Sequence, residues 1–202
     1  MDKKKIIIAL IVVVLLIVAI FTVITIRKVS VFNNLLEKAS ETDKTTNFHM
    51  IVNPTGQNRQ KMEVWSKDET HYLVKMATED WETIFYQNGE ESFRATNVRG
   101  QKQVKKNEMG RASLLTFTQE VDQSNVWKEA MGATVRSIEF HNKNGYEIKR
   151  KMDGVENTII VEKATGLVLK NISSEISYEI GTVTDADVQK PDLTGYTEIN
   201  EQ

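Results

Sequence analysis

The chain has 202 residues, two prolines, no cysteine and a formal charge of −2. The missing thiols exclude disulfides, thiolate metal sites, cysteine nucleophiles and cysteine-linked lipid, so an exported bacterial protein fits better than a bridged secreted module. Residues 1–28 carry Lys3, Lys4, Lys5, Arg27 and Lys28 against Asp2, a net +4, which leaves the rest at −6. An acidic domain gains nothing from counterion release, so nucleic acid is not an expected partner.

Ile6 to Ile26 is a run of 21 uncharged residues rich in Ile, Val and Leu. At about 1.5 Å per residue it makes roughly 31 Å of helix, the thickness of a bilayer core. The lysines before it favour a cytoplasmic N-terminus and an extracytoplasmic remainder. The run is longer than a signal-peptide core and exits through Ile24-Thr25-Ile26-Arg27-Lys28 with no small-x-small cleavage pair, so an uncleaved anchor is favoured over a cleaved signal. The expected organisation is a stub and membrane anchor over 1–28, with the span at about 6–26. A juxtamembrane helix and link follow over 29–45, and one β-rich extracytoplasmic domain over 46–198. Val29, Phe32, Leu35, Leu36 and Ala39 recur at helical spacing, which predicts a helix packed on that domain.

From Phe48 the pattern changes to period two. Met62 and Val64, then Tyr72, Val74 and Met76, then Trp81, Thr83 and Phe85 alternate with more polar neighbours. The breaks fall at Asn53-Pro54-Thr55-Gly56, Lys67-Asp68-Glu69 and Asn88-Gly89, the last expected as a type I′ hairpin. Met109 to Met131 suggests two short helical pieces broken near Gln123-Ser124-Asn125, with a strand at Leu114–Thr118 as the alternative. Strands resume at Tyr146, Ile148 and Met152, between turns at Asn144-Gly145 and Asp153-Gly154. Val168 to Ile180 reads as one long final strand. Val183 to Tyr196 reads as an irregular segment along the sheet edge, with Leu193 and Tyr196 as hooks.

Three stretches carry a family resemblance: Phe85-Tyr86-Gln87-Asn88-Gly89, Val161-Glu162-Lys163-Ala164-Thr165-Gly166-Leu167, and Val183-Thr184-Asp185-Ala186-Asp187-Val188 followed by Pro191-Asp192-Leu193-Thr194-Gly195-Tyr196. With the order anchor, helix, meander, helical insert and second meander, the chain resembles the LolA/LolB-type lipoprotein carriers over about residues 30–198. It is most similar to the membrane-anchored LolA-like proteins of Gram-positive bacteria. The resemblance implies an α+β, mainly β fold: a curved antiparallel half-barrel sheet with helices on its concave side. It also implies a non-enzymatic module of the bacterial cell envelope that binds a lipid or an acylated, lipoprotein-like ligand in that concavity. An envelope sensor that binds a partner protein is the alternative, since a tethered domain is no free shuttle and fold alone does not assign function.

No catalytic set is expected. His49, His71 and His141 are far apart and lack metal-ligand spacing, and no G-x-S-x-G, P-loop or G-x-G-x-x-G occurs. Asp185, Asp187 and Asp192 lack the EF-hand spacing and read as solvated turns, and no metal or other cofactor is expected. Arg99, Lys102, Lys105 and Lys106 form a small basic run that reads as a solvated strand end, with anionic headgroups or wall polymer as the competing partner. The candidates for lining an apolar ligand cavity are Trp65, Trp81, Phe85, Phe117, Trp127 and Tyr146. Any sheet-on-helix core would use the same residues.

Overall fold

The computed structural model describes residues 3–55, 60–108, 110, 112–152 and 154–199. Gly56, Met109 and Asp153, named in the readings above, lie outside the described residues. A long apolar helix is followed by an open, mostly antiparallel sheet of twelve strands, a mainly β arrangement within a coarse α+β class.

Helix α1 runs without interruption from Lys3 to Thr42. Its apolar half is long and apolar enough to cross a membrane. Thr22 and Thr25 return their hydroxyls to the helix, to the carbonyls of Val18 and Phe21. The helix expected from residue 29 continues the apolar run as one helix. No Pro or Gly falls between Ile6 and Thr42 to break it. Beyond Lys28 the covering changes from outside to inside: Val29, Phe32, Leu35 and Ala39 are buried.

The strands are β1 (Phe48–Pro54), β2 (Lys61–Asp68), β3 (His71–Ala77), β4 (Trp81–Asn88), β5 (Glu91–Val98) and β6 (Gln101–Lys106), then β7 (Thr134–Phe140), β8 (Lys143–Met152), β9 (Val155–Glu162), β10 (Val168–Lys170), β11 (Ser174–Ile180) and β12 (Thr197–Glu198). Their spatial order is β12-β6-β5-β4-β3-β2-β1-β11-β10-β9-β8-β7. The two meanders thus meet through β1 and β11, paired from Phe48↔Ile180 to Pro54↔Ser174. The first and last strands of the sheet do not pair with each other. Between β6 and β7 lie α2 (Phe117–Glu120), a 3-10 turn at Gln123–Asn125 and α3 (Val126–Gly132).

Alternation sends one set of side chains to the face that carries α1. Phe48, Met50, Val52, Val64, Tyr72, Val74, Val168, Ile176 and Tyr178 form one cluster there, and α1 packs with Phe117, Ile148, Ile159 and Val161 in a second. A third cluster, Leu73, Ile84, Tyr86, Phe93, Ala95 and Val104, lies on the outer face. The tail covers it with Leu193 and Tyr196 before pairing as β12, parallel to β6. The hooks read from the sequence are thus in place.

Three local readings are corrected. Asn88 ends β4 opposite Glu91, and Gly89, at φ +61°, takes the first central position of the loop, the II′ pattern; the expected I′ turn would need Asn88 at positive φ. Two-residue loops with both residues at positive φ occur instead at Arg99-Gly100 and His141-Asn142, so Asn144-Gly145 lies within β8. The long final strand is a hairpin. Asn171 Oδ1 accepts from the Ser173 and Ser174 amides at 3.1 and 2.9 Å, which turns the chain between β10 and β11. Lys170 then meets Glu175 across the outer face at 2.7 Å rather than joining Ile176 inside.

One turn sets how closely the sheet approaches α1. Gly166 has φ +70°, and a Cβ there would lie 2.6 Å from the Ala39 nitrogen and 2.7 Å from the Leu35 carbonyl oxygen. Its neighbour Thr165 accepts the Thr42 hydroxyl at its carbonyl, 2.7 Å away. Gly166→Ala combines an unfavourable φ with a backbone clash. We expect a loss of ~2–4 kcal/mol, read as a lower thermal midpoint of the solubilised chain; an unchanged midpoint would contradict the close packing.

Candidate functional site

The sheet face that carries α1 also holds a segment that the sequence left between helix and strand. Residues 112–116 run extended across the inner face and form a bridge from Thr116 to Leu167. Two tyrosines of the sheet fasten this strap. Tyr72 donates its hydroxyl to the Gly110 carbonyl at 2.8 Å, and the Tyr178 hydroxyl lies 2.9 Å from the Leu115 carbonyl and 3.0 Å from that of Val168. Burial pushes the Tyr178 phenol well above its ordinary pKa, keeping it a neutral donor. Arg94 binds Glu108, just before the strap, at 2.7 Å. Asp43, one residue past α1, accepts from the Thr116 and Thr118 hydroxyls at 2.8 and 2.7 Å.

Between the strap, the end of α1 and strands β1 to β4 opens a cleft of about 790 Å³. Its floor is Phe48, Tyr72 and Leu114. Its walls are Asp43, Thr45, Ser66, Asp68, Glu69, Gln87, Thr118, Gln119 and Gln123. The described lining holds three carboxylates and no lysine or arginine. The cleft lies at the Thr42 end of α1, away from the apolar run.

At its rim, burial alone would raise the Asp68 carboxyl. Hydrogen bonds from His71 Nδ1 at 2.8 Å and from the Thr70 amide and hydroxyl at 2.8 and 3.0 Å outweigh it and hold the group at about 2. A carboxyl with a depressed folded pKa stabilises the β2–β3 turn above its ordinary value near 4, and that contribution is lost as pH falls toward about 2. A carbon-detected titration is expected to place Asp68 at about 2, and Thr70→Val is expected to move it upward. An Asp68 that titrates at its ordinary value in the folded chain would contradict the turn geometry.

None of the six aromatic candidates lines this cleft. Trp65 is on the outer face, stacked on His49 at 5.1 Å, with Lys75 Nζ 5.1 Å from its ring centroid. Trp81 and Phe85 share the inner face of β4. Trp81 lines a smaller hollow of about 360 Å³ with Asp80 and Arg99, while Phe85 packs against the central cluster. Phe117 is fully buried, edge-on to Phe32 at 5.2 Å. Tyr146 packs beside it in the α1 cluster under Lys163. Trp127 is exposed on α3. The structure brings Phe117 and Tyr146 together and separates the others.

Sequence reasoning missed Arg150. It alternates among lysines on β8, yet its side chain is buried behind α2 and α3. Nη1 pairs with Glu129 at 2.8 Å, and Nη2 donates to the Glu120 carbonyl and lies 3.6 Å from its carboxylate. Burial pushes the Glu120 carboxyl up against the opposing pull of this guanidinium. Ile148 and Arg150 fall on the same inward parity, the one signal that could have located it. Arg150→Ala strands two carboxylates beneath the insert. The expected cost is about 3 kcal/mol in a denaturation series, against less than about 1 kcal/mol for the exposed Lys151→Ala.

The histidines stand apart, His49 beside Glu63, His71 beside Asp68 and His141 beside Glu175. No group of three or more His, Asp or Glu side chains gathers as a metal site among the described residues. Asp187 and Asp192 accept from Thr184 and Thr194 in local turns. The basic run is paired: Arg99 with Asp80, Lys105 with Glu108, Lys106 with Glu198, and Lys102 over the Tyr196 ring. Compared with known families, the chain matches no family model, and no curated protein matches it.

Proposed function

We propose that this chain is a non-catalytic, membrane-tethered binding module of a bacterial envelope, with its sheet domain extracytoplasmic, and that its cleft takes a polar segment of a partner protein. The observation that carries the reading is the chemistry of that cleft. Its walls are hydroxyls, amides and three carboxylates, which reward a ligand able to return hydrogen bonds and bring positive charge. Its position supports the same partner. From Arg27 to Thr42 the helix rises about 23 Å, which sets the opening well above the bilayer surface.

The likeness to lipoprotein carriers points to an acyl ligand. Such a ligand needs apolar space, and Phe32, Leu35, Leu114 and Phe117 occupy the inner face. An acyl chain would enter only by displacing the strap that Tyr72 and Tyr178 hold.

Photo-crosslinking of the full chain in its membrane separates the two. A photoreactive residue at Gln87 or Gln123 is expected to give a protein adduct that weakens with Glu69→Gln and with added salt. The same residue at Ser177, on the outer face, is expected to give none. A lipid adduct at Gln87 and Gln123 would move the acyl reading to the front. Equal adducts from all three positions would sink the cleft reading.

A further inference from the structure

We propose that the end of the sheet domain opposite the cleft rests in the headgroup layer of the bilayer that α1 crosses, with Trp127, Met131, Val155 and Ile172 as its apolar contacts. The inference rests on reading the apolar half of α1 as a membrane span. It adds a second attachment to the lipid surface.

Three observations place that end of the domain at the bilayer. Lys28, two residues past the apolar run, donates its ammonium to the Ala133 carbonyl at 2.5 Å. Ala133 leads directly into β7, and the register continues from Thr134 to Lys149 and from Lys149 to Thr158. These residues mark one level, that of Lys28. The domain also reaches below it. Thr25 is 6% exposed, whereas Ile24 and Ile26 beside it are 47% and 53% exposed. A residue on a lone helix has no such cover, so the folded domain presses on α1 within the last turn of the apolar run. A bilayer that receives Ile24 and Ile26 must also meet the domain's edge.

What that edge presents is apolar. Among the described residues outside α1, seven large hydrophobic side chains are exposed, and four of them belong here. Trp127 (56% exposed) and Met131 (51%) are one turn apart on α3, whose Ala130 is buried in the α1 cluster. Val155 (60%) is at the β8–β9 hairpin, three residues past the Lys149–Thr158 pair. Ile172 (62%) is in the β10–β11 turn, two residues past the Lys170–Ile160 pair and at the same end of the sheet. Water is a poor environment for such a set. An interface that accepts a Trp ring and aliphatic tips beside cations is a good one. The exposed Arg27 and Lys128 supply cations for anionic headgroups.

The absence of native cysteine permits single-site labelling. Full-length chain in nanodiscs of mixed zwitterionic and anionic lipid would carry one spin label at residue 127, 131, 155 or 172. Reference labels go at Leu15 in the apolar run and at Glu69 and Glu90 on turns at the cleft end. Collision with oxygen, which partitions into lipid, is compared with collision with a water-soluble nickel complex. Labels at the four rim positions are expected to shift from the ratio of Glu69 and Glu90 toward that of Leu15. A lipid-like Leu15 with rim labels as water-exposed as Glu69 overturns the inference and leaves the anchor standing. A water-exposed Leu15 overturns the anchor and the inference together.

Discussion

One helix is asked to satisfy two solvents in succession. Through Ile24 its side chains face outward on every side, a surface that suits hydrocarbon. From Val29 onward its apolar stripe is sealed against protein. Because nothing interrupts the helix between these halves, the sheet is tied to its apolar half. The core clusters around Phe32 and Leu35, the Gly166 turn against Ala39 and the Lys28–Ala133 bond are all fixed to that one rod.

The sheet answers this constraint by keeping its two halves unequal. The half built from β8 and β9 closes on α1 with apolar side chains, and β8 adds a buried cation, Arg150. The half built from β1 to β4 has no helix to close on. It receives the strap, whose backbone needs polar partners and finds them in Tyr72 and Tyr178. A cleft with hydroxyl and amide walls follows from that geometry. The polarity of the opening and the apolarity of the α1 seam come from the same division of labour along the sheet.

Elements with strong periodicity were legible in the sequence. The apolar run, the stripe from Val29 to Ala39 and the alternating strands all follow from spacing alone. Turn identity was less so, because a turn's type depends on which residue ends the strand: Asn88 stayed in β4, and Asn171 folded an apparent strand into a hairpin. The site was nearly invisible. Its floor uses Phe48, Tyr72 and Leu114, ordinary core residues by pattern, while Trp65 and Trp127 look like pocket residues and face elsewhere. Composition marks what is apolar, not which apolar surface a passing segment will cover.

The two margins of the sheet differ. Along β6 the returning tail lays β12 against Gln103 and Val104, whereas β7 has no neighbouring strand on its far side among the described residues. An unsatisfied margin can recruit another strand, and proteins with two such margins can stack without limit. Here β6 is capped over Gln103 and Val104 only, and the cap is a two-residue strand that offers little margin of its own. Edge-to-edge pairing of this domain is thus favoured along the seven residues of β7 over the two of β12.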